Sequence, residues 1–234
     1  MKQSSLLLIV LLLLVGCSGF GEPTPVPTPT PTPRDILEQA VQRWNETKAF
    51  HFTLDLAERT IALDGTGTLA FAKAQGDVVA PDSMQAVALV RSPLGSMEVG
   101  LIAIGEQQWL TNPLNGKWEE APAEFQTDVT GLFDAEQGIG SLLLEMENLE
   151  RAADETVNEI PSIHLRGSMP GATLSTFAAD LAEIESVQVE LWISSADQRI
   201  HKVVITEPAK GDKIPIWTFL FSQFDDVAPI EPPL

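Results

Sequence analysis

Hydrophobic and polar positions along this chain follow two distinct periods. From residue 50 to 57 they alternate, with Phe50, Phe52, Leu54 and Leu56 on one side and His51, Thr53, Asp55 and Ala57 on the other, the period of a β-strand. Just before it, Ile36, Leu37, Ala40, Val41 and Trp44 fall at i, i+1, i+4, i+5 and i+8, which predicts an amphipathic helix over 34–47. The same reading predicts strands at 63–72, 84–90, 97–104 and 107–110, closely spaced and separated by Gly, Pro and Asn, as in an antiparallel meander. A second helix is predicted over 138–150, aligning Ile139, Leu142, Leu143, Met146 and Leu149. A third is predicted around 173–184, aligning Leu174, Phe177, Leu181 and Ile184. Strands at 163–167, 187–194, 199–206 and 216–224 complete the pattern, and no fixed-period repeat underlies it.

Two strands break the alternation. In MEVGLIAIG, Val99, Leu101 and Ala103 face one way while Ile102 and Ile104 face the other. In IWTFLFSQF, Trp217, Phe219 and Phe221 oppose Ile216, Leu220 and Phe224. Neither face of such a strand favours water. Helices on the inner side and a loop, tail or partner on the outer side would account for this. A curved sheet that does not close on its helices would account for it too, and would leave an apolar cavity for acyl chains.

The first 33 residues follow neither period. Met1 and Lys2 precede an apolar run at 6–15, too short to span a bilayer, and then small residues at Gly16, Cys17 and Ser18. Leu14-Val15-Gly16-Cys17 resembles the bacterial lipobox, which implies a signal peptide at 1–16, cleavage before Cys17 and acyl chains on that cysteine. A plain signal peptide with an incidental cysteine is the alternative. Two or three chains, each adding about 0.8 kcal/mol per buried methylene, anchor a protein stably. Proline at every second position from Pro23 to Pro33 makes 17–33 an extended linker reaching roughly 50 Å at about 3.1 Å per residue. The folded domain is expected at 34–226, with a Pro-rich tail at 227–234.

Composition narrows the functions. Of 234 residues, 44% are hydrophobic, enough for one sizeable core. Thirty-three acidic against 14 basic residues give a net charge of -19, which excludes nucleic acid as a partner and disfavours anionic lipid unless a tether holds the domain there. No catalytic motif stands out: there is no G-x-S-x-G elbow, no H-E-x-x-H, no phosphate-binding glycine loop, and the single cysteine belongs to the lipobox. His51, His164 and His201 read as ordinary surface or edge residues. Acidic pairs such as Asp134 with Glu136, Glu145 with Glu147, and Asp225 with Asp226 read as solvated faces in so acidic a chain, rather than acid/base or Ca²⁺ sites. No enzymatic activity, cofactor or metal is expected.

Four segments carry a family resemblance: TKAFHFTLDL (47–56), LTNPLNGKWEEAP (110–122), LFDAEQGIGSLL (132–143) and VELWISSADQRIHKVVI (189–205). In order and spacing the chain resembles the LppX/LprAFG lipoproteins over nearly the whole domain. The resemblance implies an α+β, mostly β fold: a curved antiparallel half-barrel with helices packed on its concave face around an apolar cavity, similar to the LolA/LolB carriers. It implies binding of acylated lipids or glycolipids and their carriage outside the plasma membrane, by a monomer held on that membrane's outer face through Cys17, with an envelope transporter as a further partner. The cavity wall is expected from Phe52, Leu54, Leu69, Phe71, Leu142, Met146, Phe177, Leu181, Leu191 and Phe219. Asn112 to Gly116 supplies a turn, and Trp118 and Trp192 are expected to be structural. A non-catalytic envelope interaction module with a side-chain-filled core is the alternative from another class, and a lipid hydrolase a more distant one.

Overall fold

The computed structural model describes residues 30–63, 68–123, 129–134 and 138–233, without the side chains of Leu132 and Phe133. Cys17, its signal peptide and the linker through residue 29 lie outside the described residues. Residues 31–234 form one compact unit that contains every strand and helix named below.

The chain enters through helix α1 (Pro33–Asn45). Thr32 caps it by accepting from the Asp35 N–H, the Asp35 carboxylate accepts from the Thr32 N–H in return, and Pro33 supplies a first-turn φ at no hydrogen-bond cost. Its apolar stripe of Ile36, Leu37, Ala40, Val41 and Trp44 is buried. The following strands are β1 (Ala49–Ala57), β2 (Ile61–Ala62), β3 (Ala70–Val79), β4 (Ser83–Ser92), β5 (Gly95–Ile104), β6 (Gln107–Thr111) and β7 (Trp118–Glu120). A 3-10 turn at Thr130–Phe133 leads to helix α2 (Ile139–Leu144). Then come β8 (Glu147–Arg151), β9 (Glu155–Val157), β10 (Ile160–Pro170), β11 (Ser186–Ser194), β12 (Ile200–Thr206) and β13 (Ile216–Ser222).

All pairings are antiparallel, in the order β7-β6-β5-β4-β3-β1-β13-β12-β11-β10-β8, with β2 and β9 flanking β3 and β10. The sheet is open, as the half-barrel reading requires. Its two halves meet where the first long strand pairs with the last, Leu54 opposite Phe219 and Phe52 opposite Phe221. α1 packs on the concave face at this seam: Trp44 lies 5.1 Å from Phe50 and 4.9 Å from Phe221, ring centre to ring centre.

The registers sort the connections onto two rims. One rim carries the links after β1, between β4 and β5, β6 and β7, β10 and β11, and β12 and β13; since 171–185 departs from it to cover the sheet, it is the cover rim. The other carries the α1–β1, β3–β4, β5–β6 and β11–β12 links and residues 223–226. Glu46, Asp82, Glu106, Asp197, Asp225 and Asp226 make it the acidic rim.

Three sequence expectations are corrected. The helix expected over 138–150 stops at Leu144, where Arg34 donates to the carbonyls of Leu144 (2.9 Å) and Met146 (2.5 Å), and 147–151 turns into β8, pairing with β10. The helix expected around 173–184 is two 3-10 turns, Gly171–Leu174 and Ala179–Glu183, with Ala178 extended between them. There the Ser175 hydroxyl donates to the Ala172 carbonyl at 2.7 Å, the local competition that weakens helices. The strand expected at 63–72 is instead β3 at 70–79, whose Lys73, Gln75, Gly76 and Asp77 obscured its period. Gly76 is needed in it, because a Cβ there would lie 2.1 Å from the Gln85 carbonyl oxygen of β4.

Candidate functional site

Strand register lines up large apolar side chains on the concave face of the C-terminal half. Phe219 of β13 stands beside Val203 of β12, and Trp217 beside Ile205; Val189 and Met169 extend this floor across β11 and β10. Above it lie Ile139, Leu142 and Leu143 of α2. Leu174 and Leu181 of the two 3-10 turns, with Phe177 between them, form the roof. These side chains and Phe221 line a partly open cavity walled wholly by apolar residues, with a free volume of about 60 Å³. A typical small-molecule pocket is roughly 300–1,000 Å³. An acyl chain therefore needs the roof to move.

The roof is built to hold without being strong. Its turns fold against each other only because residue 171 is glycine, since a Cβ there would lie 2.3 Å from the carbonyl oxygens of Leu181 and Ile184. From solvent it is fastened at Asp180. Arg59, just past β1, donates from Nη2 to Asp180 Oδ1 at 2.8 Å and from Nη1 to Asp180 Oδ2 at 3.1 Å. The same guanidinium faces Glu207, a fully buried side chain, with Nη1 3.2 Å from Oε2. Its Nε lies 3.0 Å from Glu207 Oε1 at an angle too poor for a hydrogen bond, so charge rather than alignment holds that contact. Glu207 also accepts from Trp217 Nε1 at 2.8 Å and lies 3.2 Å from Lys210 Nζ. The Arg59 guanidinium sits 4.9 Å over the ring of Trp217, a residue that also lines the cavity. Hydrogen bonding from Arg59 holds the Asp180 carboxyl below its ordinary pKa against a smaller opposing effect of burial.

Of the residues expected in a cavity wall, Leu142, Phe177, Leu181 and Phe219 meet around this cavity. Phe52, Leu54 and Phe71 pack, partly buried, against the core beyond it, and Leu69 lies just ahead of β3. Met146 and Leu191 are fully buried in the core, not on the cavity wall. Sequence reasoning did not anticipate Met169, Val189, Val203, Ile205 or Trp217. Trp217, a tryptophan on a doubly apolar strand, needs an acceptor for its N–H, and Glu207 is that acceptor.

The outer face of the sheet accounts for the doubly apolar β5 and carries a second aromatic cluster on β10–β12. Ile102 of β5 pairs with Trp109, and the Trp118 ring lies over Gly100, where a Cβ would come within 2.8 Å of its Cη2. Trp192 stacks on His164 at 4.3 Å, donates from Nε1 to Glu155 at 3.0 Å and carries the Lys202 ammonium 4.0 Å above its ring. His164 is therefore buried, not a surface residue, with Nε2 2.8 Å from Glu190. His51 pairs with Asp77 at 2.7 Å. Burial first, with Asp197 opposing, leaves the His201 pKa below its ordinary value. Among the described residues no group of three His, Cys, Asp or Glu side chains is placed to hold a metal ion, and no helix is long and apolar enough to cross a membrane.

Comparison with known proteins agrees with this architecture. The sequence profile of the family described as LppX_LprAFG lipoprotein matches residues 32–229. The crystal structure of LprF from Mycobacterium bovis is similar at 15% identity and a TM-score of 0.68, covering 88% of this chain and 98% of that one. That of the Mycobacterium tuberculosis lipoprotein LppX is similar at 14% identity and a TM-score of 0.62, covering 85% and 98%. At these identities the structures establish a shared fold. No curated protein sequence matches the chain.

Proposed function

The chain belongs to the LppX/LprAFG lipoprotein family, and from that premise we propose that it binds the acyl chains of lipids or glycolipids beneath the 171–183 roof and carries them outside the plasma membrane, tethered through an acylated Cys17. The observation that carries this reading is the wholly apolar cavity roofed by two short 3-10 turns and fastened at one exposed carboxylate. Buried apolar surface contributes about 25 cal/mol per Å², so a chain in this cavity gains mainly from displacing water. Binding begins when the roof lifts at Asp180. The cavity then widens between β12–β13 and α2.

The small free volume favours a second reading, in which the core is complete without a ligand and the domain docks other envelope proteins. One experiment separates the two: native mass spectrometry of the domain purified from its host, together with titration by fluorescent fatty-acid probes. Co-purifying lipid, or saturable uptake competed by lipid, supports the carrier. A lipid-free protein that takes up no probe overturns it and leaves the docking reading. The tether has its own test: Cys17→Ser should abolish acylation and signal removal at that site, and normal amounts of processed, acyl-modified protein in the membrane fraction would refute it.

A further inference from the structure

Large apolar side chains are exposed at six described positions, and five of them, Leu63, Leu94, Leu114, Leu144 and Ile214, lie on the cover rim. Leu94 is 96% exposed at the tip of the β4–β5 hairpin, and Leu114 is 93% exposed at the tip of β6–β7. Isolated exposed leucines are common; a concentration on one rim of an open barrel is not. The two tips are fixed displays. Ser92 Oγ accepts from the Leu94 N–H at 3.2 Å and donates to the Gly95 carbonyl at 3.0 Å. Asn112 Oδ1 accepts from the Leu114 N–H at 2.9 Å, and its carbonyl accepts from Gly116, at φ +70°, at 2.8 Å.

Charge on this rim also departs from the rest of the molecule. Arg59, Lys73, Arg91, Lys117, Lys210 and Lys213 gather here in a chain with 14 basic residues against 33 acidic. Asp55 pairs with Lys73, Glu58 with Lys213, and Asp180 and Glu207 with Arg59 and Lys210. Arg91 and Lys117, beside the two leucine tips, have no ionic partner among the described residues, while Glu119 is drawn aside by Asn112 Nδ2 at 2.9 Å. Glu183 and Glu185 leave the cover rim as a whole net acidic, but at the two leucine tips Arg91 and Lys117 stand against Glu98 and Glu119, so an anionic surface meets little net repulsion at the tips.

We propose that the cover rim docks directly onto a phospholipid bilayer, Leu94 and Leu114 entering the headgroup region with Arg91 and Lys117 above them on lipid phosphates. An apolar tip flanked by cations suits that interface, where one side chain is dehydrated and its neighbour stays wet. The occupant is a lipid surface, since fully exposed leucines separated on two hairpins offer no continuous groove for a protein segment. Docked this way, the 171–183 roof faces the bilayer, so a lipid passes between membrane and cavity at the rim that opens. This rests on the carrier reading for its purpose but not for its test.

The test uses the 31–234 unit, which lacks Cys17 and so has no cysteine, with bimane placed through Leu94→Cys, Leu114→Cys or, on the acidic rim, Glu106→Cys. With phosphatidylcholine vesicles containing phosphatidylglycerol, labels at 94 and 114 should shift to the blue and be quenched by nitroxide lipids, and the label at 106 should do neither. In unlabelled protein, Leu94→Ser or Leu114→Ser should lower vesicle flotation about tenfold, from the loss of one buried leucine. Arg91→Gln or Lys117→Gln should lower it about fivefold on anionic vesicles only. Absence of quenching at both tips, or equal quenching at 106, overturns the proposal. Tip insertion without acyl-probe uptake keeps the docking rim and rejects the carrier; uptake without tip insertion does the reverse.

Discussion

The two rims of the half-barrel are made from the same kinds of turn and put to opposite uses. On the acidic rim the turns are tied to one another across the sheet. The Asp225 carboxylate accepts from the Lys48 N–H at 2.7 Å and from Arg199 at 2.6 Å, and Arg199 lies 4.7 Å over Phe224. Beneath them Trp44, Phe50 and Phe221 form an aromatic cluster. The cover rim presents leucines to solvent and holds the roof through Arg59 and Asp180. The proposed carriage requires the domain to stay folded while one end opens, and cohesion concentrated at the other end is consistent with that requirement.

That contrast can be broken most strongly at the aromatic cluster. Trp44→Ala removes a buried ring between α1 and the β1–β13 seam and should cost about 3–5 kcal/mol in urea unfolding. A loss below about 1 kcal/mol would mean that the acidic rim is not where stability resides.

A smaller effect is expected from Arg59→Met, which leaves Glu207 buried with only Lys210 and Trp217 as partners. About 3 kcal/mol is expected, at the low end for stranding a buried charge, together with faster uptake of acyl probes. Slower uptake would mean that Arg59 helps the ligand in and does not fasten the roof.

The smallest change in stability belongs to Asp180→Asn. Asp180 is more than half exposed, so less than about 1 kcal/mol is expected, but the roof should open more often and probe uptake should quicken. Asp180 is held below its ordinary pKa chiefly by Arg59. At Asp225 burial acts in the opposite direction and is outweighed by the Lys48 N–H and Arg199. A carboxyl lowered in the folded state contributes stability above its unfolded pKa of about 3.9 and loses it as pH falls through the lowered value. Stability from both rims should thus be level from pH 7 to about 5 and decline below 4. Asp180→Asn should remove only the cover rim's share, and a decline starting near pH 6 would point to a histidine instead.

Sequence periodicity located most strands because their inner faces are consistently apolar, as Phe50 to Leu56 shows. It misplaced β3, where polar outer residues and Gly76 hide the period. It extended α2 through Met146 and Leu149 because a helical stripe and the end of a turn leading into an edge strand look alike until Arg34 is known to catch the carbonyls. The roof looked helical for the same reason, since Leu174, Phe177 and Leu181 keep helical spacing while Gly171 and Ser175 favour turns. At the site, residues on the right strands and helices could be named, but not which strands face the roof. Arg59 and Glu207, 148 positions apart, meet only through the β1–β13 seam.

That seam also governs how the domain can be made. β1 is among the first segments to leave the ribosome or cross the membrane, yet its partner β13 is nearly the last, and loop closure over such a distance is slow. Until β13 arrives, β1 and β12 each present an unpaired edge, and α1 lacks the Phe221 ring it packs against. A chain interrupted before residue 216 is therefore not a smaller domain but an aggregation-prone fragment, and folding of this domain is completed from its C-terminus.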